Sequence, residues 1–133
     1  MKPTRIVPVA ILAIAGGFAL QAASTQQQGV KRTELQRYDL SIPGREVIQV
    51  RVDLDPGVTF PQHSHPGEEV IYVLEGVWEY QVEGKGAMRL KAGEVLFIPA
   101  GVNHGTKNVG SGKGSELATY IVEKGKPLVV LAK

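Results

Sequence analysis

The chain has 133 residues, three histidines (His63, His65 and His104) and no cysteine. His63 and His65 are separated by one residue, so on an extended segment both imidazoles project from the same face. Glu69 follows four residues after His65, beyond Pro66-Gly67, a pair able to turn the chain and bring the carboxylate back toward the imidazoles. His104 lies about 40 residues further on, after Pro99-Ala100-Gly101. Three imidazoles and one carboxylate form a nitrogen–oxygen donor set for a single divalent transition ion. Iron or manganese come first, and nickel, copper and zinc are also compatible. An octahedral ion so held keeps two positions open for substrate, water or dioxygen, which marks a reactive centre rather than a closed structural one. Glu68 is a rival ligand to Glu69, because turn geometry at Pro66-Gly67 is not fixed by spacing. The lack of cysteine excludes disulfide staples, thiolate sites and a cysteine nucleophile.

Other candidates have plainer explanations. Trp78, Tyr80, Tyr72 and Phe97 are able to line a cavity for an apolar or aromatic ligand, but in a small β domain such residues more often fill the core. Alternation adds that if Glu69 faces inward then Ile71 and Val73 do too, leaving Tyr72 on the other face. Arg51, Gln49 and Arg89 are candidate anchors for an anionic substrate, and a solvated sheet face accounts for them equally well. Asn108 reads as a hydrogen-bonding strand residue.

The elements that must position these groups are strands. Residues 46–54 alternate strictly, with Ile48, Val50, Val52 and Leu54 on one face and Gln49, Arg51 and Asp53 on the other. Asp55-Pro56-Gly57 then signals a turn. Further strands are expected at 69–74, 77–83, 87–90, 95–98, 104–108, 117–122 and 128–131. No apolar period of 3.6 residues appears beyond the leader. Short strands separated by turns from sixteen glycines and eight prolines imply an all-β sandwich or barrel.

Residues 1–24 read as an export signal: Lys2 and Arg5 lead an uncharged, mostly apolar run over 6–20, and Ala22, Ala23 and Ser24 offer a cleavage site. That run is shorter than the ~20 apolar residues needed to span a bilayer and carries Pro8, so removal is expected rather than retention as an anchor. The mature protein is then periplasmic or secreted, with no stable membrane insertion. Residues 25–34 are polar and without apolar period, as in a flexible N-terminal arm, and residues 35–133 form the single domain. Fifteen Lys plus Arg exceed thirteen Asp plus Glu by two, and Lys2 and Arg5 supply that excess. The remainder is neutral, which argues against nucleic acid as a partner.

The two histidine segments resemble the motifs of the cupin superfamily. The first reads Gly57, five residues, His63-x-His65, three residues, Glu69, six residues, Gly76. The second reads Gly93, five residues, Pro99-x-Gly101, two residues, His104, three residues, Asn108, and sixteen residues (77–92) separate the two. The resemblance implies a single double-stranded β-helix, or jelly-roll, barrel. It implies metal-ligand roles for His63, His65, Glu69 and His104, choosing Glu69 over Glu68. It further implies a metal-dependent oxidoreductase, dioxygenase-like, on a small oxygen-bearing substrate, with Glu69 able to loosen and accept a proton. Isomerase or lyase chemistry and a non-catalytic binding module are the alternatives. It also implies a homodimer.

Overall fold

The computed structural model describes residues 26–133; the expected leader, residues 1–24, lies outside them. Ten strands follow in order: β1 Val30–Asp39, β2 Arg45–Leu54, β3 Thr59–Ser64, β4 Gly67–Glu75, β5 Val77–Val82, β6 Gly86–Lys91, β7 Val95–Ile98, β8 His104–Asn108, β9 Gly114–Glu123 and β10 Val130–Leu131. They form two five-stranded sheets, ordered β1-β2-β9-β4-β7 and β10-β3-β8-β5-β6, and every pairing is antiparallel. The chain passes from one sheet to the other and back, as in a jelly roll, so the all-β barrel expected from the sequence is the fold observed.

Alternation builds the interior. Ile48, Val50, Val52 and Leu54 of β2 face Ile71 and Val73 of β4 and Ala118, Tyr120 and Val122 of β9 within the first sheet's inner surface. Trp78, Tyr80 and Val82 of β5 close the core from the second sheet, Trp78 and Tyr80 stacking at 6.0 Å. Full burial of such a side chain stabilises by about 1.5–3 kcal/mol, which is why strict alternation specifies the inward face. Asn108 is structural, as expected. Its Nδ2 donates to the Leu54 and Gly112 carbonyls (3.0 and 2.8 Å), and its Oδ1 accepts from Gly110 N–H.

Two strands depart from the sequence reading. β3, which carries His63, is a pleated strand with an irregularity between Phe60 and His63; its few apolar residues hide it. The expected flexible arm at 25–34 becomes strand from Val30 onward, in β1. This strand is exposed along nearly its whole length, with only Val30 buried and Arg32 half-buried, so it carries no alternation to read. Its Lys, Arg and Glu side chains suit an edge strand, where charge discourages further pairing.

Candidate metal centre

Register places the histidines. β3 and β8 are neighbours, and His63 pairs directly with His104. His65 stands one residue beyond the end of β3, and Glu69 is an inward residue of β4, 2% exposed, whereas Glu68 lies on the opposite side of the strand. The turn ahead of β8 is tied to the first motif, because Gly101, at a φ of 72°, donates its N–H to the His65 carbonyl at 3.1 Å. Close approach is needed at Gly67 as well: a Cβ there would sit 2.0 Å from the Ile121 carbonyl oxygen, so only glycine lets β4 enter beside β9 with Glu69 in position.

The three imidazoles converge, with one ring nitrogen from each within 4.8 Å of the others. Each Nδ1 faces a backbone carbonyl: Pro61 for His63 at 2.8 Å, Leu128 for His65 at 2.6 Å, Val102 for His104 at 2.9 Å. A carbonyl only accepts, so each Nδ1 carries the hydrogen and the Nε2 lone pairs are left for the centre. Glu69 Oε2 lies 2.9 Å from His104 Nε2 and 3.2 Å from His65 Nε2. Neither approach has hydrogen-bond geometry, and both His65 Nε2 and Glu69 Oε2 are buried without a hydrogen-bond partner. Buried polar atoms are rarely left so. Imidazole nitrogens and a carboxylate oxygen that converge in a buried site fit a divalent cation, which would take the place of a shared proton there.

The electrostatics fit too. Burial opposes ionisation of Glu69, but His104 and His65 outweigh it and hold the carboxyl below the usual range. Burial, followed by the neighbouring His104, pushes His63 down to about 4, leaving its imidazole neutral at pH 7. For His104, burial lowers the pKa, yet the Glu69 carboxylate more than compensates and raises it.

A small cavity adjoins these residues, about 10 Å³, room for one water or one ion. Its wall includes Tyr80, Thr106 and Glu116, the last fully enclosed and accepting a short hydrogen bond from the Tyr80 hydroxyl. Burial, then the charge on Glu69, push Glu116 up to about 8, so it holds its proton at neutral pH. Sequence reasoning missed Glu116, although extending the expected strand at 117–122 by one residue puts it in the inward register of Ala118 and Tyr120. Arg32, Phe60 and Tyr120 were missed as well; for Arg32 no local signal exists.

The other sequence candidates lie elsewhere. Trp78 and Tyr80 are interior, and Tyr80 also touches the cavity. Tyr72 and Phe97 belong neither to core nor to cavity: they stand on the outer surface, 45% and 51% exposed. Arg51 pairs with Asp53 at 3.1 Å and Arg89 with Glu79 at 3.3 Å, while Gln49 donates to Thr119 Oγ1 at 3.1 Å, all away from the cavity.

The chain is similar to several known proteins. The chain is 36% identical over 73 residues to the oxalate-binding protein of Thermotoga maritima, covering 54% of this chain and 60% of that protein. Over 87 residues it is 37% identical to germin-like protein subfamily 2 member 2 of Arabidopsis thaliana, 59% of this chain but 40% of that one. The chain thus spans less than half the length of that germin-like relative. The solved structure of an oxalate oxidase in complex with the substrate analogue glycolate matches with a TM-score of 0.65 at 27% identity, over 81% of this chain and 57% of that chain. The cupin domain family model matches residues 50–122. Because that match takes in both histidine segments and every strand between them, the chain belongs to the cupin domain family.

Proposed function

We propose that the protein is an exported metal-dependent cupin enzyme, a dioxygenase-like oxidoreductase acting on a small oxygen-bearing substrate, with His63, His65, Glu69 and His104 holding one divalent ion. The observation that supports this reading is the cluster of three imidazoles anchored through Nδ1 to carbonyls, with the Glu69 carboxylate beside the Nε2 atoms of His65 and His104. Iron or manganese best suits the reaction, and such an ion supplies Lewis acidity and a one-electron couple. The chain's own groups do the rest. The carbonyl anchors keep the imidazoles in one tautomer and orientation. Glu69 accepts a proton from a bound substrate. The relatives named for oxalate, and the oxalate oxidase bound to glycolate, support a carboxylate among the substrate's oxygen groups.

A non-catalytic binding module is the second reading, favoured by the name of the oxalate-binding Thermotoga relative and by a cavity no larger than one water. Oxygen uptake separates the two. Protein loaded with iron or manganese is offered catechols, flavonoids, 1,3-diketones, glycolate and oxalate. Uptake with one class, and about one metal ion per chain, is the expected result. Loaded protein that consumes no oxygen with any of them loses the dioxygenase assignment to the binding module.

The leader at 1–24 supports a periplasmic or secreted location, and among the described residues no helix is long and apolar enough to cross a membrane. A homodimer is supported by the outer face of β4 and β7, where the cross-strand pairs Val70–Phe97 and Tyr72–Val95 expose four adjacent apolar side chains.

A further inference from the structure

Arg32 is the half-buried cation of β1, whereas Arg37, which pairs in register with Ile48, is exposed and ion-paired with Glu34 and Glu46. Arg32 shares the inner face of that strand with the buried Val30 and pairs in register with Val52 of the core. Its Nη2 donates to the Tyr120 hydroxyl at 3.1 Å, and its guanidinium sits 5.8 Å from the Tyr120 ring and 5.7 Å from the Phe60 ring. The Tyr120 ring in turn packs against His65 at 4.6 Å. Among the described residues, no carboxylate lies within ion-pair distance of Arg32. Glu116, the acid enclosed in the same cavity, is hydrogen-bonded by the Tyr80 hydroxyl and forms no ion pair with the guanidinium.

Arg32 and Phe60 have a second setting. Both line the small cavity beside His63, Glu69 and His104, and both also line a groove of about 840 Å³. Among the described residues its other walls are mainly apolar, from Val30, Pro61, Leu128, Val129 and Leu131, with Gln26 and Gln27 beside them and no acidic residue. One wall is bound to the candidate metal centre directly, since the Leu128 carbonyl accepts the hydrogen bond from His65 Nδ1. A mainly apolar groove lined by one guanidinium without a carboxylate partner, next to a candidate metal centre, has the complementarity of an amphipathic anion.

We propose that Arg32 is the carboxylate-recognition residue of this protein, and that the groove receives the apolar body of a monocarboxylate whose charged head is held between Arg32 and the candidate metal centre. The proposal rests on the metal-dependent reading above and narrows its substrate class: a carboxylate with an aliphatic or aromatic tail, rather than a bare dianion such as oxalate. Arg32 selects the charge, and Val30, Leu128 and Leu131 select the tail.

Calorimetric titration of the manganese-loaded full chain with hexanoate, acetate and the neutral isostere hexanamide tests this. Hexanoate binding at least tenfold tighter than acetate or hexanamide is expected. Arg32→Gln should weaken hexanoate at least tenfold with manganese content unchanged, and Arg32→Lys should restore part of it, which also controls for folding. Equal hexanoate affinity in wild type and Arg32→Gln overturns the assignment, as does acetate matching hexanoate, or no hexanoate binding at millimolar concentration. Metal content is read separately. A wild-type protein that takes up no manganese or iron refutes the metal reading, while the dependence of hexanoate affinity on Arg32 in that protein still decides this one.

Discussion

A cation site is made or lost by single side chains, and the four convergent groups here are unequal to their neighbours. His63→Ala and His104→Ala each remove an Nε2 from the centre, and Glu69→Ala removes its carboxylate. Metal bound per chain, measured by plasma emission after dialysis, should fall at least tenfold in all three. Glu68→Ala should leave it unchanged, because Glu68 sits on the other side of β4; equal losses from Glu68→Ala and Glu69→Ala would refute the ligand choice. Glu116 predicts a pH effect. Its pKa rises from the ordinary 4.5 to about 8 on folding, so the folded protein binds the extra proton in that interval. The acid's contribution to stability is complete below pH 4.5 and is lost as pH rises through about 8. Glu116→Gln keeps an acceptor for Tyr80 without the titration. The Tm of metal-free Glu116→Gln should therefore gain on wild type steadily from pH 5 to pH 8; a constant difference would show that the carboxyl does not hold its proton.

At the scale of elements, the site depends on how closely two strands approach. β4 enters between β7 and β9, and Gly67 is its first residue, two before Glu69. Gly67→Ala drives a methyl group into the backbone of β9, 2.0 Å from Ile121 O and 2.7 Å from Val122 Cα. Backbone cannot rotate aside as a side chain would, so the strand must shift. A loss of about 3 kcal/mol is expected by denaturant titration, with lowered metal content in the same variant because Glu69 moves with its strand. An unchanged midpoint would mean that β4 and β9 do not pack as described. β1 poses a different problem. It is held along one edge by β2, shows little burial of its own, and yet delivers Arg32 to the cavity.

The whole molecule presents one outer face unlike the rest. Val70, Tyr72, Val95 and Phe97 stand exposed and adjacent at the β4–β7 edge of the first sheet, while the outer face of β2 carries Gln49 and Arg51. A two-fold axis through such a patch buries it against its own copy. Light scattering should give a dimer for the wild type and a monomer for Tyr72→Glu combined with Phe97→Glu, with metal content intact. A wild-type monomer at tens of micromolar would set the dimer aside.

Much of this protein is written locally. Strict alternation in β2, β5 and β9 reports which side chains are buried, since hydrophobic burial acts residue by residue on a pleat of period two. His63-x-His65, Glu69 and His104 are legible because their spacing matches a known motif and turns with glycine flank them. Other features have no local trace. Arg32 looks like any polar residue in a charged stretch, and only the pairing of β1 with β2 carries it to Tyr120 and Phe60. Phe97 looks like core, and only its pairing with Val70 on the outer face sends it outside, where alternation from Glu69 had already placed Tyr72. Glu116 looks solvated until the closure of two sheets takes water away from it. Sequence by itself determined the fold class and the four residues proposed to hold an ion. Tertiary structure decided the surroundings of that site, because burial, register and the dielectric around a charge belong to neighbours distant in the chain.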